Sequence, residues 1–150
     1  MKNFQNRAVD SSEDAKTQAP LVTEYMTRNL ITFTPDTDIH EVINSLLKHR
    51  ISGAPVLNSV GEVVGLIDDK DCLNILFGSM YNRTPIGSNT VSNYMSNVMK
   101  SISVDDNITD VAYIFSTSPY KRLLVKDKNN KLVGQISRRD ILRAIKEMGY

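Results

Sequence analysis

A chain of 150 residues with 41% apolar and 23% charged side chains has the composition of a soluble globular protein, long enough to bury about two-thirds of its unfolded surface. No apolar run reaches the roughly 20 residues of a membrane-spanning helix. The single cysteine, Cys72, excludes an internal disulfide and fits a reducing compartment, so the expected location is the cytoplasm. A net charge of +1 conceals an asymmetry: residues 1–90 carry 8 Lys/Arg against 11 Asp/Glu, and residues 91–150 carry 10 against 6. The second half is therefore the better host for an anion.

Residues 1–20 are polar, lack an apolar signal-peptide core and are expected to be a flexible tail. Val22–Met26 predicts a short amphipathic turn and Thr32–Thr34 a short alternating strand. Asp38, with Glu41 three residues on, marks a helix N-terminus, and the stripe Ile39, Val42, Ile43, Leu46, Leu47 is the helix it opens. Strands follow at Ala54–Leu57 and Val63–Ile67, joined by the turn Asn58–Gly61; a closing helix runs from Asp69 to about Met80. Gly78–Thr90, with Pro85, Gly87 and Ser88, reads as a connector.

The same order then recurs: a turn at Val91–Met95, a strand at Ser101–Val104, and an N-cap at Asn107 with Asp110. A helix on Ile108, Val111, Ala112 and Phe115 follows, then strands Leu123–Val125 and Leu132–Ile136 and a closing helix from Arg138 to about Met148. Val22–Leu73 lies on Val91–Leu142 without a gap at an offset of 69, with twelve identical pairs, including Val22/Val91, Tyr25/Tyr94, Met26/Met95, Gly65/Gly134 and Asp71/Asp140. Chance at average residue usage would supply roughly three. The expectation is an α+β protein of two β-α-β-β-α repeats related by a pseudo-twofold axis. The tail is 1–20, the repeats 21–80 and 91–150, the connector 81–90, and the two sheets share one core.

Met26-Thr and Met95-Ser, His49-Arg-Ile-Ser-Gly-Ala-Pro-Val56 and Gly134-Gln-Ile-Ser-Arg-Arg-Asp140 together resemble the CBS domain, and the tandem resembles a Bateman module. The resemblance covers about residues 20–148. It implies a cleft that binds an adenosine-containing ligand, an AMP, ADP or ATP-class nucleotide or S-adenosylmethionine. It also implies a regulatory role without catalysis, and signalling to an effector protein. It places Asp140 on the ribose, Ser137 on the ribose or the phosphate, Lys121 and Arg122 on the phosphate with Arg138 and Arg139 beside them, and Asn29, Ile31, Ile51 and Ser52 of the first repeat on the adenine.

The residues leave alternatives open. Ser137 and Asp140 also make a capping pair that serves only to start the last helix. Arg138 and Arg139 oppose the helix dipole, a cost that a phosphate docked there would offset. Ile31 and Ile51 fit core packing as well as ligand contact. The matching cleft of the first repeat would use Asp71 and Asp68, with Lys100 and Tyr120 from the second. Asp69 adds a third carboxylate where the other cleft has cations, so the better reading there is an acidic helix cap. Such a site is otherwise empty, or takes an adenosyl group without phosphate, or a cation-bridged nucleotide.

No Cys/His spacing suits a metal, and no nucleophile elbow, P-loop or dinucleotide turn is present, so an enzyme is not expected. Basic residues are not interleaved with aromatics, which disfavours nucleic acid. Leu76, Phe77, Met80, Ile145 and Met148 form an apolar stripe suited to a homodimer. The alternative function is a ligand-independent interaction or dimerisation scaffold whose clefts are vestigial.

Overall fold

The computed structural model describes residues 19–97 and 100–150. Apart from residues 19 and 20, the expected N-terminal tail lies outside them. The elements are helix α1 (Ile39–His49), strands β1 (Gly53–Leu57) and β2 (Val63–Asp68), helix α2 (Asp69–Asn82), strand β3 (Ser101–Ser103), helix α3 (Ile108–Thr117), strands β4 (Arg122–Lys126) and β5 (Leu132–Ser137), and helix α4 (Arg138–Glu147). Each repeat opens with a 3-10 turn, at Val22–Glu24 and Val91–Asn93. β1 and β2 pair antiparallel; β3 runs parallel to β4, which neighbours β5.

Capping sets the helix starts. The Asp38 carboxylate accepts the His40 N–H at 2.8 Å, and the Asn107 side chain accepts the Asp110 N–H at 2.9 Å. α1 ends at Arg50, whose backbone is left-handed at φ 53°. The strand expected at Thr32–Thr34 is reduced to one parallel bridge between Phe33 and Val56. Phe33 donates to the Pro55 carbonyl and accepts from Leu57. Pro35, lacking an N–H, follows immediately and cannot extend such a ladder.

The chain forms two compact units that do not follow the linear repeats. In one, the described residues up to Arg28 join Ser101–Lys128 and Val133–Tyr150; the other comprises Asn29–Lys100 with Asn129–Leu132. The leading turn of each repeat thus folds with the other repeat. Fully buried Val22 belongs to the cluster of Ile102, Ile108, Val111, Leu123, Val125, Ile136, Ile141 and Ala144. Fully buried Val91 belongs to that of Phe33, Ile39, Val42, Leu46, Ala54, Val56, Ile67 and Cys72. The expectation of one shared core is corrected: there are two, each completed by a borrowed turn.

Backbone hydrogen bonds fix the exchange, and they repeat at the same offset of 69. Val22 donates to Asp106 and Val91 to Thr37; Ile108 donates to Pro20 and Ile39 to Asn89. Two of the identical glycines let it happen. A Cβ on Gly134 would lie 2.7 Å from the Met26 sulfur and 2.9 Å from the Thr27 carbonyl oxygen; on Gly65 it would meet Met95 and the Ser96 carbonyl. Thr27 and Ser96 bridge to Gln135 and Leu66, so those backbones cannot retreat without breaking the pairing. Gly134→Ala is therefore expected to destabilise the protein by ~1–3 kcal/mol in denaturant unfolding, as overpacking does. Gly78→Ala, on a helix with open space around the position, should stabilise it by ~0.5–1 kcal/mol.

Candidate functional site

The first turns of α2 and α4 are equivalent in the repeat and built alike. At α4, Asp140 Oδ2 accepts from the Ser137 N–H at 2.9 Å and its hydroxyl at 3.0 Å, while the Ser137 oxygen accepts the Asp140 N–H at 3.2 Å. At α2, Asp71 accepts the Asp68 N–H at 3.1 Å, and Asp68 accepts the Asp71 N–H at 2.8 Å. Both are closed capping boxes. Each is tied to the strand two elements back. The Arg138 N–H bonds the Lys121 carbonyl at 3.3 Å, and the Asp69 N–H bonds the Ser52 carbonyl at 2.7 Å.

What differs is charge. In the unit that carries α4, Lys121, Arg122, Arg138 and Arg139 gather at the helix start, with Lys121, Arg138 and Arg139 exposed and Arg122 half-buried. The Arg138 guanidinium reaches back to the carbonyls of Tyr120 at 2.9 Å and Pro119 at 3.3 Å, so one of the expected phosphate cations is held by backbone oxygens. Tyr120 itself is half-buried against the core of that unit. Asp140 has a further donor that sequence inspection missed: Arg143 lies 3.5 Å from Oδ1. The same guanidinium stands 5.4 Å over the Tyr25 ring and reaches the Tyr25 carbonyl at 3.4 Å. Glu147 accepts the Tyr25 hydroxyl at 2.6 Å and thereby raises its pKa. The signal was present as an Asp-x-x-Arg spacing on one helix.

In the unit that carries α2, Asp68, Asp69 and Asp71 stand where the other has Ser137, Arg138 and Asp140. Burial, then the Asp68 charge, raises the Asp71 pKa, while bonding to the Asp68 backbone N–H and the Lys70 charge lower it less. Cys72 is buried, and burial together with these carboxylates pushes its thiol up to about 11. That shift favours the protonated thiol over the nucleophilic thiolate. Of the expected adenine residues in this unit, Asn29 and Ser52 are exposed, and Ile31 and Ile51 pack half-buried against its core. Lys100 is exposed.

Of the apolar stripe, Phe77 and Met80 are exposed, whereas Ile145 and Met148 pack against the core of their own unit. A groove of about 420 Å³ lies between α1 and α2, lined by Ile43, Leu46, Leu47, Leu73 and Leu76. Among the described residues, no cluster of three or more His, Cys, Asp or Glu is placed to hold a metal ion, and no helix is long and apolar enough to cross a membrane.

Known proteins share this fold. CBSX1, a chloroplastic CBS domain-containing protein of Arabidopsis thaliana, is 28% identical over 148 residues, spanning 82% of this chain and 63% of its own length. The crystal structure of CBSX2, from the same plant, in complex with AMP superposes with a TM-score of 0.73 at 25% identity, covering 87% of this chain and 99% of that one. The CBS domain pair of protein MJ0100, solved with 5'-methylthioadenosine and S-adenosyl-L-methionine, gives 0.70 at 22% identity over 87% and 98%, which speaks for the fold alone. The family model for the CBS domain matches residues 22–78 and again 91–147, so this chain belongs to the CBS domain family as a tandem pair.

Proposed function

We propose that the chain is a non-catalytic regulatory module that binds one adenosine-containing nucleotide at Asp140 and signals to a partner protein. One observation carries this reading. Two helix N-termini of the same construction differ in what surrounds them: four basic residues and one carboxylate at α4 (Lys121, Arg122, Arg138, Arg139 and Asp140), three carboxylates and one lysine at α2 (Asp68, Asp69, Asp71 and Lys70). A helix start already favours an anion through its free N–H groups and dipole. Four cations at one of them offset a phosphate charge, and arginine adds a planar fork that matches phosphate oxygens.

The Asp140 carboxylate suits a ribose. It offers about four lone-pair sites, and Ser137 and Arg143 fill three of them. The capping box holds it without saturating it, and ribose hydroxyls would share the remaining capacity. Ser137, Arg139, Lys121 and Arg122 would meet the phosphate, with Arg138 redirected from its carbonyls. CBSX2 bound to AMP is consistent with the ligand class. Asp71 is proposed as a helix cap with weak affinity for nucleotide or none, and the cytoplasm as the compartment.

Regulation follows only if ligand binds two states of the protein unequally. The borrowed turns suit this, since Tyr25 touches Arg143, which touches Asp140. A ligand drawing on Asp140 would weaken the hold of Arg143 and so the seating of Tyr25. The competing reading, an interaction scaffold, is favoured by the exposed Leu73, Phe77, Met80 and Tyr81, each 64–79% accessible along α2. The two readings combine if that face pairs modules into a homodimer.

A thermal-shift screen with AMP, ADP, ATP and S-adenosylmethionine should show stabilisation by at least one at millimolar concentration; none doing so would sink the sensor reading. Asp140→Ala is expected to weaken binding by about 1.5–3 kcal/mol, as loss of a charged hydrogen-bond partner does, and Asp71→Ala far less. Equal losses in calorimetric titrations would refute the asymmetry. Sedimentation velocity should find a dimer that Phe77→Asp with Met80→Asp converts to monomer; an unchanged mass would remove this face as the interface.

A further inference from the structure

The repeat supplies an internal control for a groove in the unit that carries α2. At the offset of 69, Asp140, Arg143, Glu147 and Tyr25 correspond to Asp71, Asn74, Gly78 and Tyr94. The second-repeat set is a closed assembly: Arg143 sits between the Asp140 carboxylate and the Tyr25 ring, and Glu147 fixes the Tyr25 hydroxyl. In the first-repeat set the carboxylate and the tyrosine are kept, while the arginine is replaced by the shorter Asn74 and the glutamate by no side chain at all. The space is left open as a groove of about 360 Å³ lined by Asp71, Asn74, Ile75, Asn93 and Tyr94.

We propose that this groove binds a guanidinium group from outside the fold, that of an arginine side chain presented by a peptide. The chemistry is that of the filled copy. A carboxylate pairs with the fork, an aromatic ring takes its flat face, and the Asn74 and Asn93 side-chain amides offer neutral acceptors on the rim. Guanidinium is favoured over ammonium because a planar cation fits between carboxylate and ring. Asp68 and Asp69 beside Asp71 add to the field for a cation, against the single Lys70. Asp71 is partly desolvated and its pKa raised, the condition an incoming cation relieves. A peptide-borne arginine presents the guanidinium without the α-ammonium and α-carboxylate of the free amino acid, so its one charge is the one the groove matches and no second pair of charges has to be accommodated beside the carboxylates. The inference stands apart from nucleotide binding at Asp140.

The test is an NMR amide titration of the whole chain with N-acetyl-L-arginine N-methylamide, its lysine counterpart, and free L-arginine. Saturable shifts at the Asn74 and Asn93 side-chain amides are expected with the blocked arginine, and at least about five-fold weaker binding for the lysine probe. Weaker binding of free arginine supports the peptide source, and stronger binding overturns it in favour of the free amino acid. Asp71→Asn should weaken the blocked arginine about ten-fold or more. Because that change also touches a helix cap, Asn74→Arg provides a second variant: it should fill the groove from within and abolish the titration in a protein that stays folded. No saturable shift, equal binding of lysine, or undiminished binding to Asn74→Arg would each overturn the proposal.

Discussion

A carboxylate three residues into each closing helix accepts the N–H of the residue that starts it, and the starting side chain accepts in return. This reciprocal pair satisfies two of the donors that a helix start leaves open, and it pins the carboxylate where strand turns into helix. The nucleotide site proposed at Asp140 and the helix cap at Asp71 both begin from that constraint. It also explains why an aspartate recurs at the same offset irrespective of ligand. Capping alone conserves the geometry, so function must be sought in what surrounds it.

The surroundings diverge by a handful of side chains. Ser52-Gly53 becomes Lys121-Arg122, Asp68-Asp69 becomes Ser137-Arg138, and Asn74 becomes Arg143. The backbone pattern is unchanged: the equivalent carbonyl, just before the strand two elements back, accepts the N–H of the first helical residue in both copies. The duplicated fold thus acts as a fixed frame on which one helix start has become cationic and the other anionic. Ligand classes separate by sign before any detailed contact is made.

Much of this was legible in the sequence because it rests on local chemistry. Periodicity marked the helices, small polar residues marked their caps, and the Ser137/Asp140 pair announced a box that the structure contains. Three things were not legible. Val22 and Val91 read as apolar residues of a turn, and no local signal says that each completes the core of the other repeat; only long-range hydrogen bonds to Asp106 and Thr37 decide it. Thr32–Thr34 alternates like a strand but pairs at Phe33 alone, since partner geometry and Pro35 limit it. Arg138 carried the right charge for a phosphate, yet nearby carbonyls offered its guanidinium a partner already. Asn29, Ile31, Ile51 and Ser52 owe their assignment to family resemblance, and half-burial of the two isoleucines fits packing equally well.

The central claim is that two equivalent helix starts became one nucleotide site and one that is not. Binding stoichiometry measures this directly. Isothermal titration of the unaltered chain with AMP, ADP and ATP in turn should show that the tightest of them saturates at one molecule per chain. Saturation at two per chain with equal affinity, or no binding heat with any of the three at several temperatures, would contradict the account.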